Sequence, residues 1–179
     1  MSRKYRIGDQ RHPHFVTLTV LHWIDFFIRD EYRQVLLKSI KYCQDNKGLE
    51  VYGYCILSSH VHLIVRAGEK DLLENVLRDL KRYTSKCFHD LLLSQHTNYE
   101  SRKRWLLKLF QDKDNRTFQF WQAGNQPIEL WSDEVFYQKL DYIHLNPVAA
   151  GLVNQPEEWR YSSAIDYAGK QGLVALAEN

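Results

Sequence analysis

Leu49-Glu50-Val51-Tyr52-Gly53-Tyr54-Cys55-Ile56-Leu57-Ser58-Ser59-His60-Val61-His62-Leu63-Ile64-Val65-Arg66 is the stretch that decides the fold. β-Branched and aromatic residues run up to the polar pair Ser58-Ser59 and resume beyond it. This predicts two strands, Leu49 to Leu57 and Val61 to Arg66, joined by a short turn. In an extended chain residues i and i+2 share a face, so His60 and His62 aim to one side while Val61 turns to the other. Two imidazoles aimed together can hold a metal ion.

Working outward, Phe15 to Leu21 reads as an earlier strand. Asp30 to Asn46 reads as a helix, with Tyr32, Val35, Leu36, Ile40 and Cys43 at helical spacing and Gly48 as its stop. Lys70 to Leu93 is a long amphipathic helix with Leu73, Val76, Leu77, Leu80, Thr84 and Phe88 on its apolar side. From Ser94 to Thr117 the pattern loosens into a polar, basic stretch with a short helix around Arg102 to Phe110. Phe118 to Trp121 is expected as a fourth strand. A last helix begins near Ser132, with Asp133 and Glu134 in its first turn, and Pro147 and Gly151 are expected to end it. The order βαββαβα predicts an α+β fold: a ferredoxin-like βαββαβ antiparallel sheet with helices on one face, plus a C-terminal helix.

Length and composition bound the remaining choices. A chain of 179 residues has room for one domain, with a core over about 14–153 and a C-terminal extension over 154–179. Hydrophobic residues make up 44% and charged residues 26%, and no apolar run reaches membrane-spanning length, so a globular chain without a membrane partner is expected. The start, Met1-Ser2-Arg3-Lys4-Tyr5-Arg6, lacks the apolar core of a secretory signal, which points to the cytoplasm. Cys43, Cys55 and Cys87 are odd in number and widely spaced, and read as reduced core thiols.

The net charge of +2 hides an asymmetry: positive charge concentrates between residues 81 and 116, and the chain beyond is acidic. Lys81, Arg82 and Lys86 form one basic cluster, and Arg102, Lys103, Arg104 and Lys108 a second, interleaved with Trp105 and Phe110. Cations among aromatics suit a phosphate backbone carrying unpaired bases; each of these residues taken alone also fits a solvated helix face.

In the last helix Tyr142 and Asn146 stand four apart, so a phenol and an amide project from one helical face. His144 is rotated about 200° from Tyr142 and falls outside that face. His12, His14, His22, His89 and His96 are read as ordinary histidines. Tyr83, set among cations, is a rival nucleophile that lacks a third ligand nearby.

Leu57-Ser58-Ser59-His60-Val61-His62-Leu63-Ile64, followed by Asp141-Tyr142-Ile143-His144-Leu145-Asn146-Pro147-Val148-Ala149-Ala150-Gly151, resembles the one-tyrosine, histidine-hydrophobe-histidine transposases of the IS200/IS605 type. The resemblance is nearest to the REP-associated tyrosine transposases. Lys81-Arg82-Tyr83-Thr84-Ser85-Lys86 and Trp159-Arg160-Tyr161-Ser162-Ser163-Ala164 also resemble family positions, and the likeness spans about residues 14–167. Better-known insertion-sequence members carry Gln where Asn146 stands. Many carry Asn where Ser59 stands, and strand alternation would turn position 59 away from the ligand face.

The resemblance implies His60, His62 and Asn146 as metal ligands and Tyr142 as a nucleophile that attacks a DNA phosphate, leaving a 5′-phosphotyrosine and a free 3′-hydroxyl. It implies Mg2+ or Mn2+ as cofactor, single-stranded or hairpin DNA as partner, and a possible homodimer. Such a ligand set is neutral, so a bound ion keeps its full charge toward phosphate, and its nitrogen content leans toward manganese. A tyrosine with a reference pKa of about 10 needs such help to attack at neutral pH. The alternative of another class is a non-cleaving protein that binds DNA or RNA hairpins.

Overall fold

The computed structural model describes residues 9–94, 100–111, 117–124 and 127–178; His96 lies outside them. The hairpin forms as read. Strands β2 (Leu49–Ile56) and β3 (His60–Ala67) pair antiparallel, and the Leu57 N–H donates to the His60 carbonyl at 2.9 Å to close the turn. Strand β1 (His14–Thr19) lies on the other side of β3, with Thr17 opposite His62 and Thr19 opposite His60.

The edge beyond β1 departs from expectation. Strand β4 is Ile128–Glu129, paired with Phe15 and His14, which completes an antiparallel sheet in the order β2-β3-β1-β4. Phe118 to Trp121 is not a strand; it makes isolated bridges, Gln111 to Phe118 and Val20 to Trp121. The reason is packing. Phe120 lies 4.4 Å from the ring of Phe88, and the Trp121 indole donates to the Thr84 hydroxyl at 2.9 Å, so these side chains anchor the segment to the helix layer.

Strand alternation sorts the sheet into two faces. Val16, Leu18, Val61, Leu63 and Val65 point into a core shared with α1 (Asp30–Lys47) and α2 (Leu73–Leu93), and α3 (Lys103–Phe110) adds Leu106 and Phe110 to it. These helices occupy one face, as expected. Helix α1 stops where Gly48 adopts φ 67°, its N–H bonded to the Cys43 carbonyl.

Phe15, Tyr52, Cys55 and Ile64 point the other way and pack against Phe136, Leu140 and Ile143 of α4 (Asp133–Ala149). Gly53 permits that approach: a Cβ there would sit 2.8 Å from Leu140 Cδ1 and 3.1 Å from Ile143 Cδ1. Ser132 caps α4 by accepting from the Val135 N–H. Contrary to expectation, Pro147 lies inside this helix. The last turn tolerates it because the Ala150 N–H still reaches the Asn146 carbonyl and the Leu152 N–H the Pro147 carbonyl, and Gly151, with φ 69°, takes the left-handed position after the helix.

The C-terminal segment covers the outer edge of β2. The Ile56 N–H donates to the Tyr161 carbonyl, the Ser163 N–H to the Tyr54 carbonyl, and the Ala177 N–H to the Val51 carbonyl. A short helix, α5 (Ala164–Tyr167), lies within this segment. Cys43 and Cys55 are buried and free, and Cys87 is free and half-buried. Burial lifts the Cys55 thiol to about 12 and the Cys43 thiol to about 11, which keeps both protonated. No helix among the described residues is long and apolar enough to cross a membrane.

Candidate active site

His60 and His62 open the strand β3 on the face that α4 covers, with ring centroids 4.8 Å apart. The β1–β3 register puts Thr17 directly across from His62, and its hydroxyl lies 2.9 Å from Nδ1. Phe15 stacks on the same imidazole at 5.3 Å, so the ring is held on two sides. Its remaining nitrogen, Nε2, is buried with no hydrogen-bond partner among the described residues. Burial, with His60 and Lys139 nearby, drives the His62 pKa down to about 3, so the ring is neutral near pH 7. Burial lowers His60 as well.

Ser59 departs from the expectation set by alternation. Its hydroxyl lies 3.1 Å from His60 Nδ1, because residue 59 belongs to the turn, where alternation does not apply. Each imidazole therefore has a hydroxyl at Nδ1, an arrangement that fixes the ring and leaves Nε2 as the nitrogen available to a ligand.

Helix α4 brings Tyr142 over this pair. The phenol ring lies 5.4 Å from the ring of His62 and 6.0 Å from that of Phe15, and the residue is half exposed, so a bulky polymer can reach it. Asn146, one turn further, buries its Nδ2 with no hydrogen-bond partner among the described residues. A half-turn of the amide offers Oδ1 from the same place. The orphaned His62 Nε2 and the orphaned Asn146 amide fit a divalent ion, since both are neutral donors with nothing else to bond. No cluster of three His, Cys, Asp or Glu that could hold a metal ion is found among the described residues.

Sequence reasoning missed Thr17, whose position across from His62 is a matter of register between strands far apart in the chain. It also missed Lys139, which sits three residues before Tyr142 on the same helical face, a spacing that was readable. The Lys139 ammonium lies 5.2 Å from the Phe15 ring and 5.7 Å from the Tyr142 ring. His144 falls outside the site, as the helical wheel requires: it is buried, bonded through Nε2 to the Ser163 hydroxyl at 2.8 Å, and pushed down to about 4 by burial.

The basic residues are divided. All belong to the helix layer on the far side of the sheet from the imidazoles. Arg102 is engaged with Glu100 and the Asp25 carbonyl, Lys103 with the Ser94 carbonyl, and Lys81 with the Gln122 carbonyl. Arg82, at 81% side-chain exposure, touches Asp79 loosely at 3.7 Å. Arg104 and Lys108 are exposed on α3 around Trp105. Lys81, Arg82 and Lys86 line a cleft with His89, Phe118 and Trp121. Tyr83, the rival nucleophile, lies on this layer as well, against Cys87.

The arrangement sets two neutral imidazoles beside an exposed phenol, with the Asn146 amide one helical turn from that phenol, chemistry suited to a phosphodiester. Among curated proteins none matches the chain. A REP-associated tyrosine transposase solved bound to a REP hairpin shares the fold, with 19% identity, a TM-score of 0.69, 99% of this chain covered and 93% of that one. A proposed transposase from Deinococcus radiodurans R1 overlaps less well, with 14% identity, a TM-score of 0.43, and 80% and 94% covered. Residues 11–132, which include both histidines, match the family model described as transposase IS200 like. That match spans more than half of the chain, which therefore belongs to the IS200-like transposase family and is a tyrosine transposase.

Proposed function

We propose that this transposase cuts and rejoins single-stranded DNA near hairpins through a 5′-phosphotyrosine on Tyr142, with His60, His62 and Asn146 holding a divalent ion, Mg2+ or Mn2+. The observation that carries the reading is His62: Thr17 occupies Nδ1, Nε2 is buried and unpartnered, and Tyr142 stands 5.4 Å away. When bound, the ion supplies Lewis acidity toward a non-bridging phosphate oxygen.

The chain's own groups do the rest. Tyr142 Oη forms a bond to phosphorus while the bond from phosphorus to the 3′-oxygen of the preceding nucleotide breaks. That oxygen takes up a proton and leaves as a 3′-hydroxyl, and the phenol proton passes to solvent. Lys139, near the phenol ring, offsets negative charge as the proton departs. One phosphoester replaces another, so the step reverses without ATP. Arg82, Lys86, Arg104 and Lys108 would grip backbone phosphates, aided by Lys81, Arg102 and Lys103 where these release their present partners. The hairpin bound by the REP-associated transposase of like fold supports a hairpin partner here.

The test is a labelled single-stranded hairpin oligonucleotide incubated with protein and Mn2+, then run on a denaturing gel. Wild type is expected to give a covalent adduct and Tyr142→Phe none. A free 5′-phosphate without adduct would mean hydrolysis by water, and binding without cleavage would mean a hairpin-binding protein. Either result removes the phosphotyrosine reading.

A further inference from the structure

Between β1 and α1 the chain makes a strained turn. His22 and Trp23 adopt φ 59° and 57°, two successive non-glycine residues in the left-handed region. L-residues avoid that region, and it persists where the surroundings over-determine it. Here they do. The Val20 N–H donates to the Ser59 carbonyl at 2.9 Å, the Leu21 N–H to the Phe120 carbonyl at 2.8 Å, and the Phe27 N–H to the Ser58 carbonyl at 2.8 Å. Ser58 Oγ donates to Asp25, and Phe26 and Phe27 are fully buried in the core.

The result of this anchoring is the display of one side chain. Trp23 is 58% exposed, and its ring stands edge-on to His60 at 5.3 Å. Trp105 and Trp131 are exposed as well, but of the three only Trp23 has its ring against one of the site's imidazoles among the described residues. From Trp23 the rings continue through His60 and His62, 4.8 Å apart, to Tyr142 at 5.4 Å from His62. Trp23 and Tyr142 are therefore at opposite ends of the series, with the two imidazoles between them.

We propose that Trp23 is a stacking platform for a nucleobase, that of the nucleotide immediately 5′ of the scissile phosphate; the assignment of the nucleotide rests on the transesterification reading above. In-line displacement sets the nucleophile and leaving group on opposite sides of phosphorus. With the phosphate over the imidazoles and Tyr142 attacking from one end, the departing 3′-oxygen and its nucleotide lie toward the other, where Trp23 waits. An aromatic face accepts any base, so the contact holds position without reading sequence. The anchored turn adds to this by fixing the indole before DNA arrives, so little ordering is required on binding.

The probes are fluorescein-labelled single-stranded hairpin oligonucleotides, each with one abasic nucleotide at a successive position, titrated in Mn2+ against Tyr142→Phe protein with and without Trp23→Ala. One abasic position is expected to weaken binding by about 5- to 150-fold, and Trp23→Ala to cost a similar factor on the intact oligonucleotide. The two losses should not add, Trp23→Phe should retain most of the affinity, and melting temperature should not change, since Trp23 is exposed. With wild-type protein the adduct should map to the bond just 3′ of the sensitive nucleotide. Equal binding by Trp23→Ala, an identical abasic pattern with and without the indole, or no binding of any probe overturns the proposal. Non-additive losses without an adduct in wild type would uphold the stacking platform and remove the nucleophile instead.

Discussion

The Thr17 hydroxyl lies 2.9 Å from Nδ1 of His62, a contact fixed by the pairing of the two residues across β1 and β3. With Nδ1–H donating to that hydroxyl, the lone pair lies on the buried, unpartnered Nε2. Thr17→Val keeps the shape of the strand and removes the acceptor. Metal affinity, measured by titrating Mn2+ against adduct formation, is expected to fall by about 10- to 100-fold, with Thr17→Ser recovering most of it. An unchanged metal requirement in Thr17→Val would show that the ring needs no such support.

Gly53 sets how closely the helix bearing Tyr142 can approach β2. A methyl group at position 53 meets Leu140 Cδ1 at 2.8 Å in a buried layer, so Gly53→Ala is expected to cost about 1–3 kcal/mol and to lower melting temperature by several degrees. Adduct formation should drop more than the loss of folded protein explains, because Tyr142 is carried away from His62. Adding Leu140→Ala makes room for the methyl, so the double variant should recover part of the activity. Additive losses would place the damage elsewhere.

Lys139 lies on the helical face of Tyr142, 5.7 Å from its ring. Replacing it by Met keeps an unbranched side chain of similar length and deletes the charge. Adduct formation is expected to slow on the order of tenfold, with hairpin binding unchanged. A loss of hairpin affinity that accounts for the slower rate would assign Lys139 to DNA binding instead.

Acid should destabilise the fold through buried imidazoles. His144 sits at about 4 and His62 at about 3 in the fold, against about 6.5 in the unfolded chain. Their contribution is fully present above pH 6.5. As pH falls below it the unfolded chain takes up protons that the fold refuses, so stability declines down to the folded values, by on the order of 1 kcal/mol per pH unit for each group. Thermal melts between pH 7 and 4 should show this slope, and His144→Gln should flatten it. A melting temperature that stays level to pH 4 would contradict the burial of these rings.

The hairpin, the two long helices and the pairing of Tyr142 with Asn146 were legible because each rests on a local period, two for strands and 3.6 for helices. What could not be read locally was the edge of the sheet. A two-residue strand such as Ile128–Glu129 carries no period, and the aromatics of Phe118 to Trp121 that imitate a strand are used to bind the helix layer. Pro147 misled because a proline in a last turn sacrifices one bond, while Ala150, Gly151 and Leu152 still close the end of the helix. Thr17, Gly53 and Ser59 gain their meaning from partners placed by tertiary packing or, for Ser59, by leaving the strand one residue before it begins. The division of the basic residues was equally hidden, since formal charge does not reveal which cations already have partners.

Ser163 Oγ meets both the Tyr54 N–H, at 2.9 Å, and His144 Nε2, at 2.8 Å. One hydroxyl thus rivets the tyrosine helix to the outermost strand, and the segment that carries it seals that strand's edge. Swinging the helix away, or trading it with another molecule, would strand the buried His144 imidazole and open the Gly53 seam to water. That cost falls before any chemistry begins, and it ties the placement of Tyr142 to the closing of the β2 edge.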